Sequence, residues 1–155
     1  MSQLDLDAKG IVAPCPRCGT KNRLAYNRLT AESRCANCKH GLTAPAEPIE
    51  VARTADFDAA VAQTPLPILV DYWAPWCGPC RAVAPEIAKV AQLLAGRALV
   101  LKVNTDVLQD LGQRHGVRSI PTMAVFSGGQ ETGRAVGARA AADILVFVEQ
   151  STRVG

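Results

Sequence analysis

Six cysteines fall as three Cys-x-x-Cys pairs, Cys15/Cys18, Cys35/Cys38 and Cys77/Cys80, in a chain of 155 residues. That spacing turns two sulfurs toward one point, so each pair suits a shared metal ion or a small disulfide ring better than a long structural bridge. The surroundings divide them. The first two pairs lie in a basic, aromatic-poor stretch, whereas the third follows an apolar run from Leu66 to Ala74. Between them, residues 42–50 (LTAPAEPIE) hold two prolines and no clear periodicity, and read as a linker. The organisation predicted is a small cysteine-rich unit over residues 1–45 and one larger domain over residues 46–155.

Hydrophobic residues make up 48% and charged residues 20%, enough for the larger unit to bury a core. No apolar run approaches the roughly 18 to 20 residues of a membrane helix. Asp5 and Asp7 stand in a first segment with no basic start or apolar stretch, so no secretory signal is visible. Cytoplasmic location and a monomer are expected. A formal charge of +3 is too small to imply nucleic acid.

From residue 46 onward, strand and helix patterns alternate. A first strand near Ile49–Ala52 precedes a short helix that Thr54 can cap, and PILVDYW reads as a buried strand. A helix from about Gly78 to Leu94 stops at Gly96, ALVLKVN is a second buried strand, and Asp106 opens a helix ending at Gly116. TMAVF and GRAV flank Gly128-Gly129 as a hairpin, and Ala138–Gln150 closes the chain as a helix. Strands apolar on both faces need cover on both faces, so the fold class is α/β, a mixed central sheet with helices on both sides.

Cys77 and Cys80 are neighbours on the first turn of a helix and can close a small disulfide ring. Unpaired N–H groups and the positive dipole end favour the Cys77 thiolate, which makes Cys77 the nucleophile. Cys80, one turn further in and expected to be more shielded, suits the resolving role. Pro79 is acceptable in a first helical turn. Asp71, within PILVDYW and six residues before Cys77, either marks the strand's exit or is buried at a cost. Burial would raise its pKa and let it take the Cys80 proton through a water. Lys102, in VLKVN, is its candidate partner. His115 reads as a cation at a helix C-terminus.

DYWAPWCGPC at residues 71–80, Ile120-Pro121-Thr122, Gly129 and Gly137 resemble the thioredoxin family over about residues 50–152. The resemblance implies a thioredoxin fold and protein-disulfide reduction, with Cys77 attacking, Cys80 releasing product and Asp71 assisting proton transfer. It also implies a cis Ile120-Pro121 peptide facing the cysteines, where the Ile120 backbone pairs with an extended substrate strand. Trp76, Gly78, Pro79, Ile120, Pro121, Gly137 and Ala138 would form the docking surface. Trp73 reads as packing beneath it, and Pro85 matches the family's helix kink.

Sixteen residues separate Cys18 from Cys35, a spacing suited to two knuckles closing on one tetrahedral Zn(II) through Cys15, Cys18, Cys35 and Cys38. About forty residues without a metal would bury too little to fold. His40 could replace a ligand, but four thiolates already complete the shell. Two disulfides are the alternative, which a reducing compartment disfavours. Between Cys15 and Lys39 six basic residues and one acid give +5, and zinc with four thiolates lowers this to +3. With Tyr26 as its one aromatic the segment lacks a stacking platform for nucleic acid.

A zinc ribbon ahead of such a domain resembles the zinc-containing thioredoxins of bacteria over nearly the whole chain. The leading expectation is a protein-disulfide reductase acting on disulfide-containing client proteins, holding one Zn(II), and recycled by an NADPH-dependent thioredoxin reductase. The ribbon is either structural or a redox-sensitive element. The alternative is a binding module, in which the ribbon recruits a partner and the thioredoxin domain serves as scaffold or folding helper.

Overall fold

The computed structural model describes residues 3–153. The N-terminal segment forms two small sheets that its sequence did not announce. Strands β1 (Asp5–Leu6), β2 (Gly10–Pro14) and β3 (Lys21–Ala25) pair antiparallel, and β4 (Ser33–Arg34) pairs with β5 (Gly41–Leu42). Tyr26–Arg28 forms a single 3-10 turn.

Beyond residue 48 the order is β6 (Ile49–Glu50), α1 (Thr54–Gln63), β7 (Ile68–Trp73), α2 (Gly78–Leu93), β8 (Leu99–Asn104), α3 (Gln109–Arg114), β9 (Thr122–Ser127), β10 (Gln130–Val136) and α4 (Ala141–Arg153). One five-stranded sheet runs β10-β9-β7-β8-β6. β6, β7 and β8 are mutually parallel, β9 runs antiparallel to β7, and β10 runs antiparallel to β9. This is the expected mixed sheet. Alternation along each strand divides the core. Ile68, Val70, Tyr72, Leu101 and Val103 meet Phe57 of α1 and Leu111 of α3, whereas Leu69, Val100, Met123 and Val125 meet Val83 and Ile87 of α2 and Ile144 of α4.

Three local expectations change. Thr54 does not cap α1; Arg53 is the N-cap, with no side-chain cap bond, and its guanidinium Nε donates to Asp56 in the first turn at 3.0 Å. Asp106 does not open a helix. Asn104 accepts its backbone N–H at 2.9 Å in a side-chain-closed turn, and α3 begins three residues later at Gln109. His115 does cap the C-terminus of α3, but not as a cation. Its Nδ1 lies 2.8 Å from the Tyr72 hydroxyl, its ring packs against Phe57 and Phe126, and burial lowers its pKa.

The N-terminal segment shares the core on the α1 side. Leu6, Ile11, Leu24, Tyr26 and Leu29 are buried in one cluster with Ile49, Val51 and Phe57. The buried Tyr26 hydroxyl donates to the Asp7 carbonyl at 2.7 Å, and Gln63 of α1 donates to the Ala8 carbonyl at 3.1 Å.

Candidate active site and candidate metal centre

β7 feeds α2 through Ala74-Pro75-Trp76, and this junction sets both cysteines. Cys77 is the N-cap of α2, with extended backbone, and its Sγ accepts the Cys80 backbone N–H at 3.2 Å. A sulfur therefore fills the place that an oxygen usually takes at a helix start. Pro79 stands in the first turn, where its missing N–H costs nothing. The two cysteines are joined by a disulfide, with their Cα atoms 5.2 Å apart. Both residues are buried, Cys77 at 4% and Cys80 at 3% exposure, so shielding separates them hardly at all. Their partners distinguish them. Cys77 Sγ holds the helix N-terminus and lies 3.7 Å from the Ile120 carbonyl oxygen.

The Ile120-Pro121 peptide is cis, and the Pro121 carbonyl accepts the Gly137 backbone N–H at 2.9 Å. That bond ties the segment before β9 to the segment after β10, setting Gly137 beside Pro121 and the Ile120 carbonyl beside Cys77, with Ala138 exposed next to Gly137. On the other flank Trp76 is 68% exposed, held by its indole N–H donating to the Asp106 carboxylate at 3.0 Å. Gly78 and Pro79 are exposed between these edges. Trp73 and Ile120, both half-buried, pack against Ala74, Cys77 and Cys80.

Asp71 is 1% exposed, and its Oδ1 has no hydrogen-bond partner among the described residues. Burial is the main reason its carboxyl rises to about 6; Lys102 opposes the rise and Glu50 adds to it. Lys102 is its register partner on β8, with Nζ 4.6 Å from the Trp73 ring centroid.

The second cluster is 15–40. The sulfurs of Cys15, Cys18, Cys35 and Cys38 all lie within 4.8 Å of one another, with Cys15 to Cys38 and Cys18 to Cys35 each 3.6 Å. A tetrahedral site with metal–sulfur bonds of about 2.3 Å has sulfur–sulfur edges of roughly 3.8 Å, so the donor set fits a metal of zinc's size and softness. His40 is not among the four.

The two knuckles repeat one backbone pattern. The Cys15 and Cys35 N–H groups each donate 2.8 Å to the carbonyl five residues on, at Thr20 and His40. Gly19 and Lys39 each donate back to the first cysteine's carbonyl, both with positive φ, 79° and 66°. Asn22 clamps the knuckles together, donating to the Thr20 carbonyl and accepting the Ala36 N–H at 2.9 Å. The Thr20 hydroxyl, 3.2 Å from Cys18 Sγ, brings the Cys18 thiol down to about 5.

Sequence reasoning missed Glu50, Asp106 and Asn22. Each acts on a residue distant in the chain, and a single sequence carries no signal for such pairs.

A helix-capping dithiol pair facing a cis-proline loop at the end of a mixed sheet defines a thiol–disulfide oxidoreductase. The thioredoxin family model matches residues 48–150, and the chain belongs to that family. Thioredoxin 1 of Nostoc is 49% identical over 82 residues, covering 53% of this chain and 77% of that protein. Thioredoxin C-3 of Corynebacterium nephridii is 33% identical over 140 residues, 90% of this chain and 94% of that one, and so reaches into the cysteine-rich N-terminal segment. Among solved structures, a mutant thioredoxin of Halobacterium salinarum superposes with a TM-score of 0.66 at 29% identity, covering 74% of this chain and 99% of its own. The chain is a protein-disulfide reductase. No helix among the described residues is long and apolar enough to cross a membrane.

Proposed function

We propose that the chain reduces client protein disulfides through a Cys77/Cys80 dithiol–disulfide cycle regenerated by an NADPH-dependent thioredoxin reductase, with one zinc ion held by Cys15, Cys18, Cys35 and Cys38. The observation that carries this reading is Cys77 Sγ at the N-terminus of α2, bonded to the Cys80 N–H, in the same fold as a buried, unpartnered Asp71 carboxyl oxygen. The Cys77 thiolate attacks one sulfur of the client disulfide, and the other client sulfur leaves as a thiolate and takes a proton from water. Cys80 then gives its proton to Asp71 through a water and attacks Cys77 Sγ. The second client thiol is released and the Cys77–Cys80 disulfide remains, two electrons having passed to the client.

Lys102 assists by moderating the charge on Asp71. An extended client segment docks across Trp76, Gly78, Pro79, Ile120, Pro121, Gly137 and Ala138, pairing with the Ile120 backbone. Zinc, when bound, ties the two knuckles into one folded unit. The unit boundary falls at residues 45/46, and the protein acts as a cytoplasmic monomer.

Cys77→Ser should abolish insulin reduction, and Cys80→Ser should accumulate a mixed disulfide with the client. Substantial turnover by Cys77→Ser overturns the assignment, and function that survives loss of both cysteines favours a binding module. Native mass spectrometry before and after mild peroxide tests the metal. One zinc retained as two hydrogens are lost marks a structural ribbon, whereas zinc lost with four or more hydrogens marks a redox-sensitive one.

A further inference from the structure

Glu50, Lys102 and Asp71 occupy one register row across the adjacent strands β6, β8 and β7. Residues in one row project from the same face of a sheet, here the face that carries Leu69 and Val100 toward α2. Lys102 stands in the middle, its ammonium over the Trp73 ring. The indole N–H of Trp73 donates to Glu50 Oε2 at 3.1 Å. Two carboxylates therefore share one cation, and only Glu50 is anchored by a hydrogen bond to the tryptophan beneath that cation. Asp71 Oδ1 is left without a partner.

We propose that Glu50 is a positioning residue for the thiol–disulfide reaction: its carboxylate anchors Trp73 and takes up part of the Lys102 charge that would otherwise stabilise ionised Asp71. The inference rests on Asp71 as the proton acceptor, and it assigns the setting of that acceptor to a residue two strands away. The electrostatics agree in sign. Burial is the main cause of the raised Asp71 pKa, with Lys102 lowering it and Glu50 raising it. Glu50 stands at the solvent-exposed edge of the sheet, and partial desolvation of its carboxylate raises its pKa, against the Trp73 bond and Lys102. The other neighbours add no charge: the row partner from β9 is Met123, and Cys77 and Cys80 of the α2 turn are tied in a disulfide.

The test is a carboxyl-carbon NMR titration of Asp71 in the oxidised full-length protein, alongside the pH profile of insulin reduction. Glu50→Gln removes the charge while keeping an oxygen that can accept the Trp73 N–H, and the Trp73 indole resonance reports whether that bond persists. Two strand spacings, roughly 10 Å, separate the carboxylates. Loss of the Glu50 charge at that distance should lower the Asp71 midpoint by about half a unit to one unit and move the acid limb of the profile down with it. Glu50→Asp, which keeps the charge, should leave the midpoint near wild type.

An unchanged or raised midpoint in Glu50→Gln overturns the inference whatever happens to turnover, and so does an equal shift in Glu50→Asp. A lowered midpoint with an unmoved rate profile keeps the electrostatic link between Glu50 and Asp71 but overturns the reading of Asp71 as proton acceptor, and with it the part of Glu50 in the reaction.

Discussion

Asp71 binds its proton more tightly folded than unfolded, and this couples the proposed acid–base group to the stability of the fold. Its carboxyl lies at about 6 rather than 3.8, chiefly through burial. A raised folded value means that the stabilising contribution is complete below about 3.8 and is lost as pH rises through about 6. The gap amounts to about 3 kcal/mol. Asp71→Asn cannot ionise, so the oxidised variant should gain about 2.5 kcal/mol on wild type between pH 4 and pH 8. Guanidinium titrations of both proteins at the two pH values read this difference, and any constant cost of the amide cancels. A second residue pair makes an independent prediction. Lys39 repeats the left-handed backbone of Gly19, a conformation in which a side chain crowds the following carbonyl. Lys39→Gly should therefore stabilise the metal-loaded protein by about 0.5–1 kcal/mol, although it loses the Lys39 bond to the Ala36 carbonyl. Denaturant midpoints check it.

At the scale of elements, β10 and α4 approach as closely as a glycine allows. A Cβ on Gly133 would stand 2.8 Å from Ser151 Cβ and 3.2 Å from the Phe147 ring, just after the register shift between Glu131 and Gly133. Gly133→Ala should push α4 off the sheet and cost about 1–3 kcal/mol, visible as a lowered thermal midpoint. Elements of this kind were legible where their own residues decide them. PILV and ALVL are apolar on both faces because helices cover both, and β7 and β8 follow those runs to within a residue or two. The start of α2 was legible because Cys77, Gly78 and Pro79 are local signals for a helix N-terminus. Other features depend on contacts across the fold. Asp106 looked like a cap, yet its carboxylate serves Trp76, thirty positions away. His115 looked like a cation at a helix C-terminus, yet Tyr72, Phe57 and Phe126 close around it. Glu50 could not be recognised, because only the β6–β8 register sets it beside Lys102. The short strands β1 to β5 lack a periodic run to announce them, and their pairing is fixed by turns and cysteines instead.

For the whole molecule, the consequence of the cysteine cluster is set by which side of the sheet it supports. Leu6, Ile11, Leu24, Tyr26 and Leu29 join the core shared by α1 and α3, while the Cys77–Cys80 pair opens α2, whose buried face packs on the opposite side. A small unit that contributes several buried apolar side chains to a common core should melt with it rather than separately. Cys35, fully buried and bonded through its N–H to the His40 carbonyl, is the proposed ligand whose loss most directly opens the second knuckle. Cys35→Ser should abolish zinc binding and lower the thermal midpoint by roughly 10 °C, in one transition, because the ribbon half of the α1-side core loses its brace. Insulin reduction at a temperature well below that midpoint should nonetheless stay within about twofold of wild type, since β7, α2 and the Ile120-Pro121 loop draw none of their contacts to the disulfide from residues 3–45. Calorimetry, zinc content and turnover measured on the same preparation decide between the two couplings. Activity lost in step with zinc, in protein that is still folded, would make the ribbon part of the catalytic unit rather than its structural support.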